Sequence, residues 1–223
     1  MASIAIVTDS ASCLPQEIKN DYEIEVISFN IHSQGKTYQD GVNITPQQVY
    51  SLQRAGETLT TSAPSPGIFA ESFQRLAQKS GEILCLSVAS SYSAFPPSIQ
   101  SAIDIVKKQS PKLRIELIDC YIGSAAQALI TLTAAHASRL GKNLNEIISK
   151  IHQAIPRAEI NLVLDTLKYL KKGGRVPKVG AWTTSLLELK PVVTNRMGHA
   201  HLVGVGRSRT QGIEQLVKAM KKG

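Results

Sequence analysis

Residues 3–10 read Ser-Ile-Ala-Ile-Val-Thr-Asp-Ser, a short apolar run that ends in hydroxyl and carboxylate side chains. Such a run is typical of a parallel strand that is buried on both faces and followed by a loop. Similar runs occur at residues 82–88 and 114–118, and the stretches between them have the apolar spacing of helices. Because strands alternate with helices, the chain is predicted to contain βαβ units and a mostly parallel sheet.

Other stretches complete the expected order of elements. A strand is predicted over residues 24–31 and a stiff, hydroxyl-rich loop over residues 60–66. A later strand over residues 159–164 and a hairpin around Met197-Gly198 are also expected. Ser12, Thr45 and Asn143 are the expected N-caps of three helices. Helices are predicted over residues 15–21, 45–54, 99–109, 122–139, 144–155 and 179–189. Three more are predicted: one that starts at residue 66, a short one that ends at residue 172, and one that starts at residue 208 or 210.

Charge divides the chain into two parts. Residues 1–149 carry 11 Lys and Arg against 13 Asp and Glu, whereas residues 150–223 carry 14 against 4. The character of the sequence changes near Pro156, so we place a domain boundary there. We predict an α/β fold with a mostly parallel, Rossmann-like sheet domain over residues 1–155. A smaller, basic α+β domain is expected over residues 156–223, and its charge indicates either an anionic partner or a solvated surface.

Composition and motifs exclude several classes of protein. At 43% hydrophobic and 19% charged residues the chain is an ordinary globular sequence. No apolar run approaches the ~18 residues of a membrane helix, and the start lacks a signal-peptide pattern, so a cytoplasmic location is expected. The cysteines, Cys13, Cys85 and Cys120, lack metal-ligand spacing. There is no phosphate-binding loop, dinucleotide fingerprint, zinc-protease motif or nucleophile elbow, which favours a binding protein over an enzyme.

Polar side chains follow the predicted parallel strands. Residues 8–10, the serines at 90–91 and Asp119 each come directly after a strand, so they should meet at one edge of the sheet, where such folds bind ligands. The hydroxyl groups of residues 60–66 and 90–93 could hold a carboxylate, because uncharged donors satisfy a partly buried anion. Asp9 and Asp119 could act as paired carboxylates, although acids at strand ends more often cap turns.

Several basic residues near predicted turns of residues 156–223 each have two interpretations. Arg175, after Gly173-Gly174, could contact a carboxylate or phosphate, or could simply neutralise a helix C-terminus. Arg207 and Arg209 share that ambiguity. His199 and His201 alternate on a predicted strand, which is more typical of a solvent-facing surface than of a metal site, and no metal is expected.

Several motifs occur in an order typical of one family. Residues 6–10 (Ile-Val-Thr-Asp-Ser), 38–41 (Tyr-Gln-Asp-Gly) and 61–67 (Thr-Ser-Ala-Pro-Ser-Pro-Gly) precede the most specific stretch. That stretch, residues 164–175, reads Leu-Asp-Thr-Leu-Lys-Tyr-Leu-Lys-Lys-Gly-Gly-Arg, and residues 190–193 (Lys-Pro-Val-Val) and 207–209 (Arg-Ser-Arg) follow. In this pattern, over essentially the whole chain, the sequence resembles the DegV family.

The resemblance implies a two-domain protein that holds one long-chain fatty acid between its domains. It implies the fatty-acid-binding subunit of a bacterial fatty acid kinase, which presents the carboxylate to a separate ATP-using subunit and performs no chemistry itself. The bound acid is the expected ligand, with no cofactor; a transient contact with an anionic membrane surface is also expected, and nucleic acid is not. By position, the implied ligand-binding residues are Thr61, Ser62, Ser91, Ser93, Arg175 and Arg207.

Within the implied site, Ser93 is preferred over Ser91 as the serine that contacts the carboxylate, and the helix over residues 122–139 is the expected wall of the acyl tunnel. The chain departs from the family at residues 94–97, which bring bulk and two prolines where the family has glycine. The second domain is expected to be shortened at its C-terminus, because typical members continue for several more elements.

Two other functions remain open at the level of sequence. An enzyme could act on a small phosphorylated or acyl substrate at the same sheet edge, using Asp9 or Asp119. Nucleic-acid binding through residues 150–223 would depend on charge alone.

Overall fold

The computed structural model describes residues 4–175 and 189–221, which form three sheets and the helices packed on them. The strands are β1 (Ile4–Asp9), β2 (Glu25–Ile27), β3 (Asn30–Ser33), β4 (Lys36–Gln39), β5 (Thr60–Ser62), β6 (Glu82–Ser87), β7 (Arg114–Asp119), β8 (Glu159–Val163), β9 (Lys190–Arg196) and β10 (His199–Gly206). The helices are α1 (Gln16–Asp21), α2 (Pro46–Arg54), α3 (Pro66–Ala77), α4 (Phe95–Gln109), α5 (Ser124–Arg139), α6 (Leu144–Ala154), α7 (Lys168–Lys172) and α8 (Arg209–Met220).

The first sheet has the strand order β2-β1-β6-β7, and all its neighbouring strands are parallel. Alternate residues of its central strands enter two separate cores. Ile4 and Ile6 pack in the core that includes residues of α5 and α6, whereas Val7 and Cys85 pack in the core that includes α3 and α4. Burial on both faces explains why these strands read as continuous apolar runs. The predicted mixed α/β class with a mostly parallel sheet is confirmed.

A second, antiparallel sheet with the order β4-β3-β5 corrects two expectations. The single strand expected over residues 24–31 is two strands in different sheets, because the chain turns at Ser28-Phe29. There the Phe29 N–H donates to the Ser10 hydroxyl and the Ser28 hydroxyl donates to the Asp40 carbonyl. The loop expected over residues 60–66 begins as strand β5, since Thr60–Ser62 pairs with residues of β3.

Most helix starts follow the expected capping chemistry. Thr45 and Asn143 each form a capping box, with Gln48 and Glu146 respectively. Ser12 is not the N-cap of α1, because its hydroxyl donates to the Asp9 carbonyl and Pro15 occupies the capping position. Helix α4 begins at Phe95, whereas residue 99 was the expected start. The prolines at 96 and 97 fit its first turn, where a backbone N–H has no partner within the helix.

The third sheet, β10-β9-β8, is antiparallel and belongs to the basic part of the chain. Its hairpin turns at Met197-Gly198, as predicted, and both turn residues have positive φ, of 50° and 76°, as in a type I′ turn. Helix α8 lies close against the sheet, because a Cβ at Gly212 would be 2.7 Å from a Val163 methyl carbon. The helix predicted over residues 179–189 lies outside the described residues except for its last one.

Candidate functional site

The C-terminal ends of β1, β6 and β7 meet at one edge of the parallel sheet, as expected. The Asp9 side chain, at the end of β1, accepts the Val88 N–H at 2.7 Å and the Ala11 N–H at 3.1 Å. The Asp119 side chain, at the end of β7, accepts the N–H groups of Ser90 at 3.0 Å and Tyr121 at 2.7 Å. Both acids therefore hold loops in place, which is the capping role expected of acids at strand ends.

Asp9 is a buried acid within a polar cluster. It is 1% exposed, and its burial raises its pKa from 3.8 to about 6, against the opposing effect of hydrogen bonds from Val88, Gln127, Ala11 and Ser87. Gln127 is fully buried, and its amide nitrogen donates to the Thr8 hydroxyl at 3.1 Å. Sequence patterns did not single out Gln127, because it lies within a helix that is dense in Ala, Ile and Leu.

Thr61 and Ser62 lie on opposite faces of β5. Thr61 pairs with the buried Ile31 of β3 and shares its face of the sheet, yet the Thr61 side chain is exposed. No residue of the described part of the chain bonds to its hydroxyl group. The Ser62 hydroxyl lies 2.9 Å from His32 Nε2, and the other nitrogen of that ring lies 3.0 Å from the Thr37 hydroxyl. Strand alternation thus separates the two predicted ligand residues, and Ser62 already has a partner.

Ser91 and Ser93 follow β6, and their hydroxyl groups are used differently. The Ser91 Oγ donates a hydrogen bond of 2.8 Å to the Gly198 carbonyl. The Ser93 Oγ accepts the Phe95 N–H at 3.2 Å, so its own O–H is still available within residues 4–175 and 189–221. A serine O–H can donate only once, so Ser93 can serve a ligand without losing its present contact and Ser91 cannot.

The start of α4 offers a ligand little besides the Ser93 side chain. The Phe95 N–H is bonded to Ser93, prolines 96 and 97 have no N–H, and the Ser98 N–H donates to the Ala94 carbonyl. The Ser98 hydroxyl donates to the Pro64 carbonyl at 2.7 Å, and the Phe95 ring lies 4.1 Å from that of Phe29, between centroids. The Ser98–Pro64 hydrogen bond joins the segment that follows β5 to the segment that contains Ser93, and the ring contact joins that segment to the residue before β3.

Arg175 and Arg207 are both exposed. The Arg175 guanidinium donates to the Gly173 carbonyl at 2.6 Å, so it neutralises the C-terminus of α7. Arg207 follows β10, whose eight residues at about 3.3 Å each span about 25 Å from the Gly198 turn. Nearby, Lys172 donates to the Gly56 carbonyl at 3.2 Å, which brings α7 next to the segment that leads to β5.

The described surfaces show where apolar side chains remain uncovered. Much of α5, the expected tunnel wall, packs in the hydrophobic core instead, although its Leu129 is 66% exposed. Leu162 of β8 is 38% exposed. One groove of about 790 Å³ lies between α8 and the outer face of the third sheet, and another of about 1560 Å³ lies beside β1 and α1. Neither is lined by Thr61, Ser91 or Ser93, so neither is the predicted ligand slot.

Two residues at the contact between the two parts, Tyr92 and Asn195, were not singled out from the sequence. Tyr92 is half-buried and lies near the Asn195 side chain, and burial raises the pKa of the Tyr92 hydroxyl to about 12. The Asn195 carbonyl oxygen is buried without a partner in the described part of the chain. Gly198 was predicted as a turn residue, but the sequence holds no signal for the loops that it contacts.

The described residues contain no group of three or more His, Cys, Asp or Glu side chains that could hold a metal ion. None of their helices is long and apolar enough to cross a bilayer.

Comparison with known proteins gives a consistent result. The family model described as "Uncharacterised protein, DegV family" matches residues 3–223. A DegV domain-containing protein of Caldanaerobacter subterraneus subsp. tengcongensis is 33% identical over 221 residues, which cover 99% of this chain and 78% of the relative.

Solved structures with the same fold are also similar in sequence. A structure described as a fatty acid binding DegV family protein from Streptococcus agalactiae matches with a TM-score of 0.86 at 30% identity, covering 100% of this chain and 78% of the other. A structure described as a stearic-acid-binding protein from Eubacterium ventriosum has a TM-score of 0.89 at 28% identity, covering 98% and 76%.

Proposed function

Because the chain belongs to the DegV family, we propose that it binds one long-chain fatty acid between residues 1–155 and residues 156–223. Two structures of at least 28% identity are described as fatty-acid-binding proteins. Within this chain, the supporting observation is the pair of hydroxyl groups on Thr61 and Ser93, each with an O–H that no described residue accepts.

The head group of the acid is held by uncharged donors. A partly buried carboxylate needs several hydrogen bonds, and the start of α4 has no N–H to spare. We assign this role to Thr61 and Ser93, on two segments that the Ser98–Pro64 hydrogen bond joins. Arg175 and Arg207, being exposed, are assigned to the outer surface rather than to the head group.

The acyl tail supplies most of the affinity. Each buried methylene contributes about 0.8 kcal/mol, so a long chain outweighs two hydroxyl contacts. The exposed Leu129 and Leu162 are the apolar surface that we assign to the tail. Each lies on an element, α5 or β8, with other apolar residues that pack in or against the core that includes α5 and α6. The hydroxyl groups then fix the direction in which the acid lies.

The bound acid is presented to a separate ATP-using subunit. In that step a carboxylate oxygen attacks the γ-phosphorus of ATP, the bond to the β-phosphate oxygen breaks, and acyl phosphate and ADP form. This chain contributes binding and orientation but no reacting group. The excess of basic residues over residues 150–223 favours docking on an acidic partner surface and a transient contact with an anionic membrane.

Native mass spectrometry of gently purified protein tests this function. We expect the spectrum to show the added mass of one long-chain acid, which organic extraction removes and added palmitate or oleate restores. Protein that carries no lipid and ignores both acids would refute the proposal.

Replacing Thr61 by Val or Ser93 by Ala should weaken oleate binding about 10- to 100-fold each, because each loses a hydrogen bond to a charged group. Ser62→Ala is the matched control, since its hydroxyl already contacts His32 and lies on the opposite face of β5. Isothermal titration with oleate measures all three. Equal affinities for the wild type and the Thr61 and Ser93 variants would show that the head group lies elsewhere.

A further inference from the structure

The turn of the β9–β10 hairpin is seated on the loops that follow β6 and β7. Both backbone polar groups of Gly198 are hydrogen-bonded to these loops. Its carbonyl accepts the Ser91 hydroxyl at 2.8 Å, and its N–H donates to the Tyr121 carbonyl at 2.5 Å. A Cβ at Gly198 would lie 3.1 Å from the Ser91 Oγ, so the fit is close. One residue of the basic part is thus bonded to two residues of the parallel-sheet part.

The two loops that hold Gly198 are themselves fixed by one side chain. Asp119 accepts the N–H of Ser90 through one carboxylate oxygen and that of Tyr121 through the other. The Ser91 and Tyr121 partners of the hairpin are therefore held at a set spacing. A second contact, between Tyr92 and Asn195, lies on the same hairpin two residues before its turn.

We propose that Ser91 and Tyr121 form a latch on Gly198 that holds the two parts of the chain together, and that Ser91 is a positioning residue rather than a ligand of the acid. The effect of the latch on lipid release rests on the proposed function, whereas the latch itself does not depend on lipid. The Ser91 O–H is already used by Gly198, whereas the Ser93 O–H is not. The two serines, which are separated by one tyrosine, thus have different roles. Ser93 orients the head group, and Ser91 keeps the hairpin in contact with the edge of the parallel sheet.

The latch controls how fast the ligand leaves. A ligand enclosed between the two parts departs when they separate, so weakening the latch raises the dissociation rate. Removing a head-group donor instead weakens binding without loosening the hairpin. The two serines can be distinguished by this difference.

Ser91→Ala, Ser93→Ala and Ser90→Ala should be compared by amide hydrogen exchange of lipid-free protein and by the rate of oleate release. Ser90→Ala is the matched control, because that residue contributes its backbone N–H to Asp119 and no described residue bonds to its hydroxyl. We expect Ser91→Ala to speed exchange over residues 195–200 and to raise the release rate roughly fivefold, the effect of losing one ordinary hydrogen bond. Ser93→Ala should weaken binding and leave exchange over residues 195–200 unchanged.

The outcomes separate the latch from the proposed function. Faster hairpin exchange in Ser91→Ala, with no lipid bound by any form, would support the latch while refuting the fatty-acid function. Weaker lipid binding in Ser91→Ala with unchanged hairpin exchange would overturn the latch and make Ser91 a ligand residue. Unchanged exchange and unchanged release would overturn it as well. Gly198→Ala provides a second variant, because a Cβ at its φ of 76° is strained and should loosen the same turn.

Discussion

Replacing Phe95 by Ala should lower the free energy of unfolding by about 3–5 kcal/mol, the range for removing a large aromatic side chain from a packed core. Phe95 is fully buried, and its ring lies between those of Phe29, at 4.1 Å, and Phe69, at 5.3 Å. A loss of this size is a large part of the 5–15 kcal/mol typical of a folded protein. Urea denaturation at neutral pH measures it.

Phe95→Leu is the control, because it keeps most of the apolar volume and should cost markedly less. The Phe95 ring packs next to the backbone N–H that holds the Ser93 hydroxyl. Loss of this packing should loosen the Ser93 segment, so the alanine variant should weaken oleate binding while the leucine variant largely retains it. If Phe95→Ala cost no more than Phe95→Leu, the aromatic cluster would not be what joins the Ser93 segment to β3.

Replacing Asp9 by Asn should remove a pH dependence of stability of about 3 kcal/mol. Burial raises the pKa of Asp9 to about 6 in the folded protein, from 3.8, so the folded state binds the proton more tightly than the unfolded state. The resulting stabilisation is fully present below pH 3.8 and is lost as the pH rises through about 6. The difference corresponds to about 3 kcal/mol, of which about 2 is lost between pH 4.5 and 7.5.

Urea denaturation over that pH range compares the wild type with Asp9→Asn, whose side chain does not titrate. The buried thiols of Cys85 and Cys120 and the half-buried Tyr92 hydroxyl also lie near Asp9. Burial raises their pKa values, so these groups stay neutral over this pH range. Ser12→Ala is the control, since it removes an uncharged hydrogen bond to the Asp9 carbonyl and should shift stability equally at each pH. Parallel curves for the wild type and Asp9→Asn would show that Asp9 titrates normally.

The sequence predicts those features that neighbouring residues determine. The apolar runs of β1, β6 and β7 require burial on both faces, and this places Asp9 and Asp119 at one edge. The capping box at Thr45 and the turn at Met197-Gly198 follow from a few adjacent residues. The capping interpretation of both acids was likewise available from their positions at strand ends.

Features that depend on distant partners could not be predicted in this way. Thr60–Ser62 has too little apolar character to mark a strand, and it is extended because β3 is beside it. The strand expected over residues 24–31 splits because β2 pairs with β1 whereas β3 pairs with β4. The Ser91 and Ser93 hydroxyl groups differ in their hydrogen bonds because Ser91 donates to a carbonyl 107 residues along the chain. No local pattern around either serine carries that information.

The arrangement of the two hydrophobic cores has a consequence for biosynthesis. Their fully buried members all come from residues 4–155, and only Ala158 and Ile160 are added at the margin of one core. The residues of both cores are therefore synthesised before those of β9 and β10. The parallel sheet can fold during translation, before the β9–β10 hairpin is available to contact its edge.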